Sequence, residues 1–133
     1  MPRLPRRWQW TDAACYHLID RGHNRETVFA DDADRAHFLK LLARYRDRFG
    51  LRLYHYGLMG NHFHLVVQLP EARRLSALMA GLLRSYTHHF HKRHGFVGRL
   101  WQGRFKSPAI EMESERVFMP SGRATPVRRS PFF

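Results

Sequence analysis

Leu51-Arg52-Leu53-Tyr54-His55-Tyr56-Gly57-Leu58-Met59-Gly60-Asn61-His62-Phe63-His64-Leu65-Val66-Val67-Gln68-Leu69 is the stretch that decides the fold. Leu51 to Met59 is rich in Leu and Tyr and reads as a strand. Gly60-Asn61 supplies a tight turn, His62 to Leu69 is the returning strand, and Pro70 ends the hairpin. In an extended chain, side chains two apart share a face. Phe63, Leu65, Val67 and Leu69 therefore form one apolar row, suited to packing under helices. His62 and His64 look out from the opposite face, side by side.

The flanking segments complete the pattern. Tyr16 to Arg21 alternates as a strand, and Gly22-His23-Asn24-Arg25 breaks it. Asp31 and Asp32 offer N-cap oxygens to a helix of about 17 residues. Its apolar positions Phe38, Leu41, Leu42, Tyr45 and Phe49 recur at helical spacing, and Gly50 stops it. A second helix over Leu75 to His94 buries Leu75, Leu78, Met79, Leu82, Tyr86 and Phe90, with Gly95 as its stop. Phe105 to Met112 is a fourth strand, placed at an edge by Pro108. The order strand, helix, strand, strand, helix, strand predicts an α+β, ferredoxin-like split βαβ fold. Its antiparallel sheet has four strands, with both helices on one face and the other face open. Residues 1–14 read as a basic arm, 15–116 as the domain and 117–133 as an irregular tail with three prolines.

Composition narrows the function. A chain of 133 residues with 44% hydrophobic content builds one ordered core. Cys15 is the only cysteine, so no internal disulfide forms and a reducing cytoplasm is expected. No apolar run nears the roughly 20 residues of a membrane span. Trp8-Gln9-Trp10 and Asp12 stand where a signal peptide needs its apolar stretch. Lys and Arg total 23 against 11 acids, a net charge of +12, and the only lysines are Lys40, Lys92 and Lys106. Guanidinium forks bind phosphate and stack on bases, so nucleic acid is the expected partner. Charge alone does not separate DNA from RNA, nor either from ribosomal-type basicity.

His62-Phe63-His64 is the candidate metal site, because two imidazoles on one strand face can share a divalent ion. His89-Phe90-His91 repeats the pattern on a helix, where positions two apart diverge by roughly 200° and cannot share one. His88, His91, Lys92, Arg93 and His94 crowd a helix end whose dipole favours cations. His17 and His55 lie on neighbouring strands, where they either back the metal ligands or are ordinary sheet residues, and the ordinary role is preferred.

Three ordered motifs carry a resemblance. Tyr16-His17 through Arg21-Gly22-His23-Asn24-Arg25 with Val28-Phe29, then Met59-Gly60-Asn61-His62-Phe63-His64-Leu65, then Gly98-Arg99-Leu100-Trp101-Gln102-Gly103-Arg104-Phe105-Lys106-Ser107 resemble the REP-associated tyrosine transposases over residues 15 to 116. The resemblance implies binding of single-stranded DNA with hairpins, especially repetitive extragenic palindromes, by a monomer or homodimer. It implies Mg²⁺ or Mn²⁺ held by His62 and His64, with Asn61 shaping the turn that presents them. It also implies attack by a tyrosine on the scissile phosphate, giving a 5′-phosphotyrosine link. Arg21, Asn24, Arg25, Arg104 and Lys106 are the expected DNA contacts; Trp101 either stacks on a base or anchors its loop from inside.

Two departures stand out. Gly60 occupies a position that is usually proline in the family. After Ser114-Glu115-Arg116 the family continues into a helix bearing the nucleophile, whereas Val117-Phe118-Met119-Pro120-Ser121-Gly122 will not extend one. No tyrosine follows Tyr86, which fits the apolar stripe of its helix better than a catalytic role. The expectation is a frameshifted or internally deleted member that binds hairpin DNA without cutting it. The rivals are a cutting enzyme whose nucleophile comes from elsewhere and an RNA-binding ferredoxin-like domain, which lacks the expected aromatic strand signature.

Overall fold

The computed structural model describes residues 14–113, 116–118 and 124–126. The basic arm lies outside these except for Ala14, as does most of the tail. The elements are β1 (Cys15–Arg21), α1 (Asp32–Phe49), β2 (Arg52–Leu58), β3 (His62–Gln68), α2 (Leu75–His94), β4 (Ala109–Glu113), β5 (Arg116–Phe118) and β6 (Ala124–Pro126). Single 3₁₀ turns cover His23–Arg25 and Ala72–Arg74. The sheet runs β2-β3-β1-β4, antiparallel throughout, as a split βαβ requires. β5 and β6 extend it beyond β4, within the stretch read as irregular. Three-residue strands are too short to leave an alternating pattern in sequence.

The apolar row of β3 does what its alternation predicts. Phe63, Leu65 and Val67 are fully buried with Tyr16 and Leu18 of β1. They pack on Phe38 and Leu42 of α1 and on Leu78, Leu82 and Tyr86 of α2. Gly50 and Gly95 end the helices in left-handed conformations, at φ 70° and 64°. The opposite face is not wholly open: Cys15, Val66 and Ile110 form a small second cluster there, with Tyr54 against it. β4 starts later than expected. Lys106 still exchanges both backbone hydrogen bonds with Ile19 (2.9 and 2.7 Å), but Pro108 has no N–H and offers only its carbonyl, to His17.

A buried carboxylate pins the helices together. Asp34 is fully buried and accepts hydrogen bonds from the Ala30 N–H (2.9 Å), Arg93 (2.8 Å), His89 (3.0 Å) and His94 (2.9 Å). Burial pushes its carboxyl up, but Arg93, the Ala30 amide and the two histidines outweigh burial and hold it well below the usual carboxylate range. Asp31, the α1 N-cap, accepts from the Asp34 N–H and pairs bidentately with Arg93.

Candidate nucleic-acid and metal site

Three segments far apart in sequence meet around Gly22. Its N–H donates to the Asn61 carbonyl (2.8 Å), which ties the β1 end to the turn before β3. The Gly60 carbonyl accepts from both Val28 and Phe29. From the other side, His23 N–H donates to Leu100 and Gln102 N–H donates to Arg21. Only glycine fits at position 22, since a Cβ would lie 2.1 Å from the Glu26 carbonyl oxygen. The junction therefore fixes where each motif's side chains emerge.

Between them lies a cleft of about 720 Å³, whose walls include Arg21, Arg25, Asn61, His62, Arg104 and Lys106. Four of the six expected DNA contacts thus converge on one concavity beside a candidate metal ligand. Asn24 lies next door, in a pocket of about 440 Å³. Trp101 does not join them. Its ring is buried against Phe63 and Tyr86, and its indole N–H donates to Thr87 Oγ1 (3.1 Å). It anchors the loop from inside, and the base-stacking alternative is corrected: a ring only 9% exposed has no face to offer.

His62 and His64 share a face, with ring centroids 6.5 Å apart and planes at 25°. Asn61 orients the first. Its side-chain oxygen lies 2.9 Å from His62 Nδ1, so the neutral ring that donates there carries its lone pair on Nε2. Gly57 makes room for the second: a Cβ there would stand 2.1 Å from His64 Nε2. His64 Nδ1 is buried and has no hydrogen-bond partner.

His64 has two histidine neighbours on the flanking strands. His17 and His55, read as ordinary sheet residues, place their rings 5.6 and 5.5 Å from it. Register foretells this, since His17 and His55 both pair with Val66, two residues along β3 from His64 and on the same face. Burial, then His64 and His55, push His17 down to about 4. Burial, then His55 and His62, also lower His64. Neutral imidazoles are the form that binds metal. The unpartnered nitrogen of His64 and the His62 imidazole on the same face are donors of the type a divalent ion takes. Among the described residues, no cluster of three or more His, Cys, Asp or Glu could hold an ion.

Tyr86 is no nucleophile. It is fully buried, its hydroxyl donates to the Val28 carbonyl, and burial followed by Asp34 raises its pKa strongly. None of the five tyrosines lines the cleft.

The sequence profile of the family described as Transposase IS200 like matches residues 11–119. No curated protein matches the chain by sequence. Among solved structures, a REP-associated tyrosine transposase bound to a REP hairpin superposes with a TM-score of 0.66 at 16% identity. That match covers 85% of this chain and 64% of the other, so the chain spans less than two thirds of that protein's length. A candidate transposase from Deinococcus radiodurans R1 gives a TM-score of 0.61 at 16% identity, covering 84% and 87%. At that identity both matches speak for the fold. No helix among the described residues is long and apolar enough to cross a membrane.

Proposed function

Because this chain belongs to the IS200-like transposase family, we propose that it binds single-stranded DNA bearing a hairpin, with the strand's phosphates along the cleft and Mg²⁺ or Mn²⁺ at His62 and His64. The observation that carries the reading is the convergence of Arg21, Arg25, Arg104 and Lys106 beside His62. Guanidinium forks suit phosphate oxygens, and such contacts set register and affinity without reading sequence. A bound divalent ion supplies Lewis acidity that polarises a scissile phosphate. The chain's own residues do the rest: Asn61 fixes the His62 tautomer, Gly57 seats the His64 ring, and the four cations hold the strand. The REP hairpin seen on a relative of the same fold supports repetitive extragenic palindromes as the target class. With every tyrosine outside the cleft, the 133-residue chain acts as a binder rather than a cutter.

Fluorescence anisotropy with a labelled hairpin oligonucleotide tests this. Affinity should fall steeply with salt, and Arg104→Ala and Lys106→Ala should each reduce the salt slope by about one. Flat salt dependence, or a blunt duplex or an RNA hairpin binding as tightly, would overturn the reading.

A further inference from the structure

Away from the cleft, α1 and α2 enclose a groove of about 790 Å³, whose walls include His37, Leu41, Arg84, Ser85, His88 and Lys92. It lies on the helix layer, across the sheet from His62 and His64, which share the face that Phe63 turns away from. Arg84, His88 and Lys92 recur at four-residue spacing, so they form one exposed row along α2. Lys40 and Arg44 form a shorter exposed row on α1. Both reach His37 through space: burial, then His89, then Lys40 and Arg44 lower its pKa.

No acid answers these rows. α2 has none in its 20 residues. On α1, Asp32 pairs with Arg35 and Asp47 with Arg46, while Asp34 and the N-cap Asp31 are taken by Arg93. Among the described residues, no carboxylate pairs with Lys40, Arg44, Arg84 or Lys92. Like charges four apart on a helix repel each other. A face that meets only water gains by interleaving acids, as Asp32 and Arg35 do at the start of α1. The walls of this groove do the opposite.

The groove also lacks a platform for bases. Its only rings are imidazoles, and His37 and His89 lie face to face at 3.8 Å, each covering the other. Single strands are held by exposed rings on which bases stack as well as by cations. Cations alone suit a ligand with its charges outside and its bases inside, which is duplex DNA. The α2 row spans about 12 Å at 1.5 Å per residue, and a duplex carries one charge per about 1.7 Å of its axis. We propose that the groove between α1 and α2 is a second DNA site, where Arg84, His88 and Lys92 hold the phosphate backbone of a duplex without reading its sequence. The cleft is left to the single strand, and one chain holds both at once.

The test uses the full chain, a labelled blunt duplex of arbitrary sequence and a hairpin strand, with binding read by anisotropy. The duplex should bind more weakly than the hairpin strand, and one equivalent of hairpin strand should leave it bound. Arg84→Glu with Lys92→Glu should weaken duplex binding by about 10-fold or more and lower its salt slope by about two, while hairpin binding stays within about two-fold. Arg52→Glu with Arg73→Glu makes the same change in net charge at exposed positions outside the groove, and should leave duplex binding in place. Equal losses from the two double variants, or a duplex displaced by one equivalent of hairpin strand, would overturn the site. So would displacement of the duplex by poly-glutamate at equal charge concentration, since the groove would then be a surface for acidic protein. Hairpin binding without duplex binding would overturn the duplex site and leave the cleft reading standing. Binding of neither would remove both.

Discussion

His62-Phe63-His64 and His89-Phe90-His91 are the same tripeptide in two settings, and the chain uses them in opposite ways. On β3 the phenylalanine is buried, and both imidazoles share the other face with nitrogens left over. On α2 the phenylalanine is buried too, but the imidazoles part company. His89 Nε2 is bonded to buried Asp34 (3.0 Å) and stacked on His37 at 3.8 Å, while His91 Nε2 donates to the Gly98 carbonyl (2.8 Å). The helical pair spends its nitrogens on holding helices and a loop together. Backbone geometry, rather than residue type, makes a histidine pair available to a ligand.

The contrast can be broken at its catalytic end, where the expected effect is all or none. The chain should form no covalent adduct with a labelled hairpin and Mn²⁺ on a denaturing gel, because no tyrosine lines the cleft. Serine and threonine hydroxyls are far harder to ionise than a phenol of pKa near 10. Replacing the residues after Arg116 with a tyrosine-bearing family helix should restore an adduct that His64→Ala abolishes. An adduct from the unmodified chain would show that another residue does the chemistry.

The helical end breaks through stability instead. Asp34→Ala leaves Arg93, His89 and His94 facing a buried gap, and should cost about 3 kcal/mol in denaturant unfolding. The pH dependence follows in sign. Asp34 and Asp31 have folded pKa values below their unfolded ones, Asp31 at about 2 under the pull of Arg93 and the Asp34 N–H. Their contribution is full above the ordinary carboxylate pKa of about 4 and is lost as pH falls through the depressed values. Stability should therefore decline on acidification below about pH 4, and Asp34→Ala should flatten that decline. His89→Ala should cost about 1 kcal/mol. If neither variant moves the denaturation midpoint, the helical histidines are not structural.

Smaller changes sharpen the strand side. Gly57→Ala should push the His64 ring aside and weaken Mn²⁺ binding by roughly 10-fold, the scale of an outer-shell defect, with little loss of stability. Unchanged Mn²⁺ affinity would show that His64 needs no such seat. Gly60→Ala meets no atom within 4 Å and should raise stability by about 0.5 kcal/mol at most. A loss there would mean that the turn needs glycine.

Much of this was legible in the sequence, for physical reasons that also mark the limit. Alternation in β3 and the stripes from Phe38 to Phe49 and from Leu75 to Phe90 are local periodicities, and they gave the order of elements, both helices and the shared face of His62 and His64. Trp101 was ambiguous because its partner Thr87 lies in another element and its loop has no period. Nothing local marks Asp34 out in the sequence, since His89 and His94, which bond to it, come 55 and 60 positions later. The left-handed Asn24-Arg25 pair depends on Gly22 meeting Glu26, a contact no spacing rule encodes.

Calorimetric titration with Mn²⁺ tests the central claim most directly, with each histidine of the two triplets replaced in turn. His62→Ala and His64→Ala should each weaken binding by 10-fold or more, on the order expected for losing one of two ligands. His89→Ala and His91→Ala should bind as the unmodified chain does. Equal losses from both pairs, or none from the strand pair, would contradict the account.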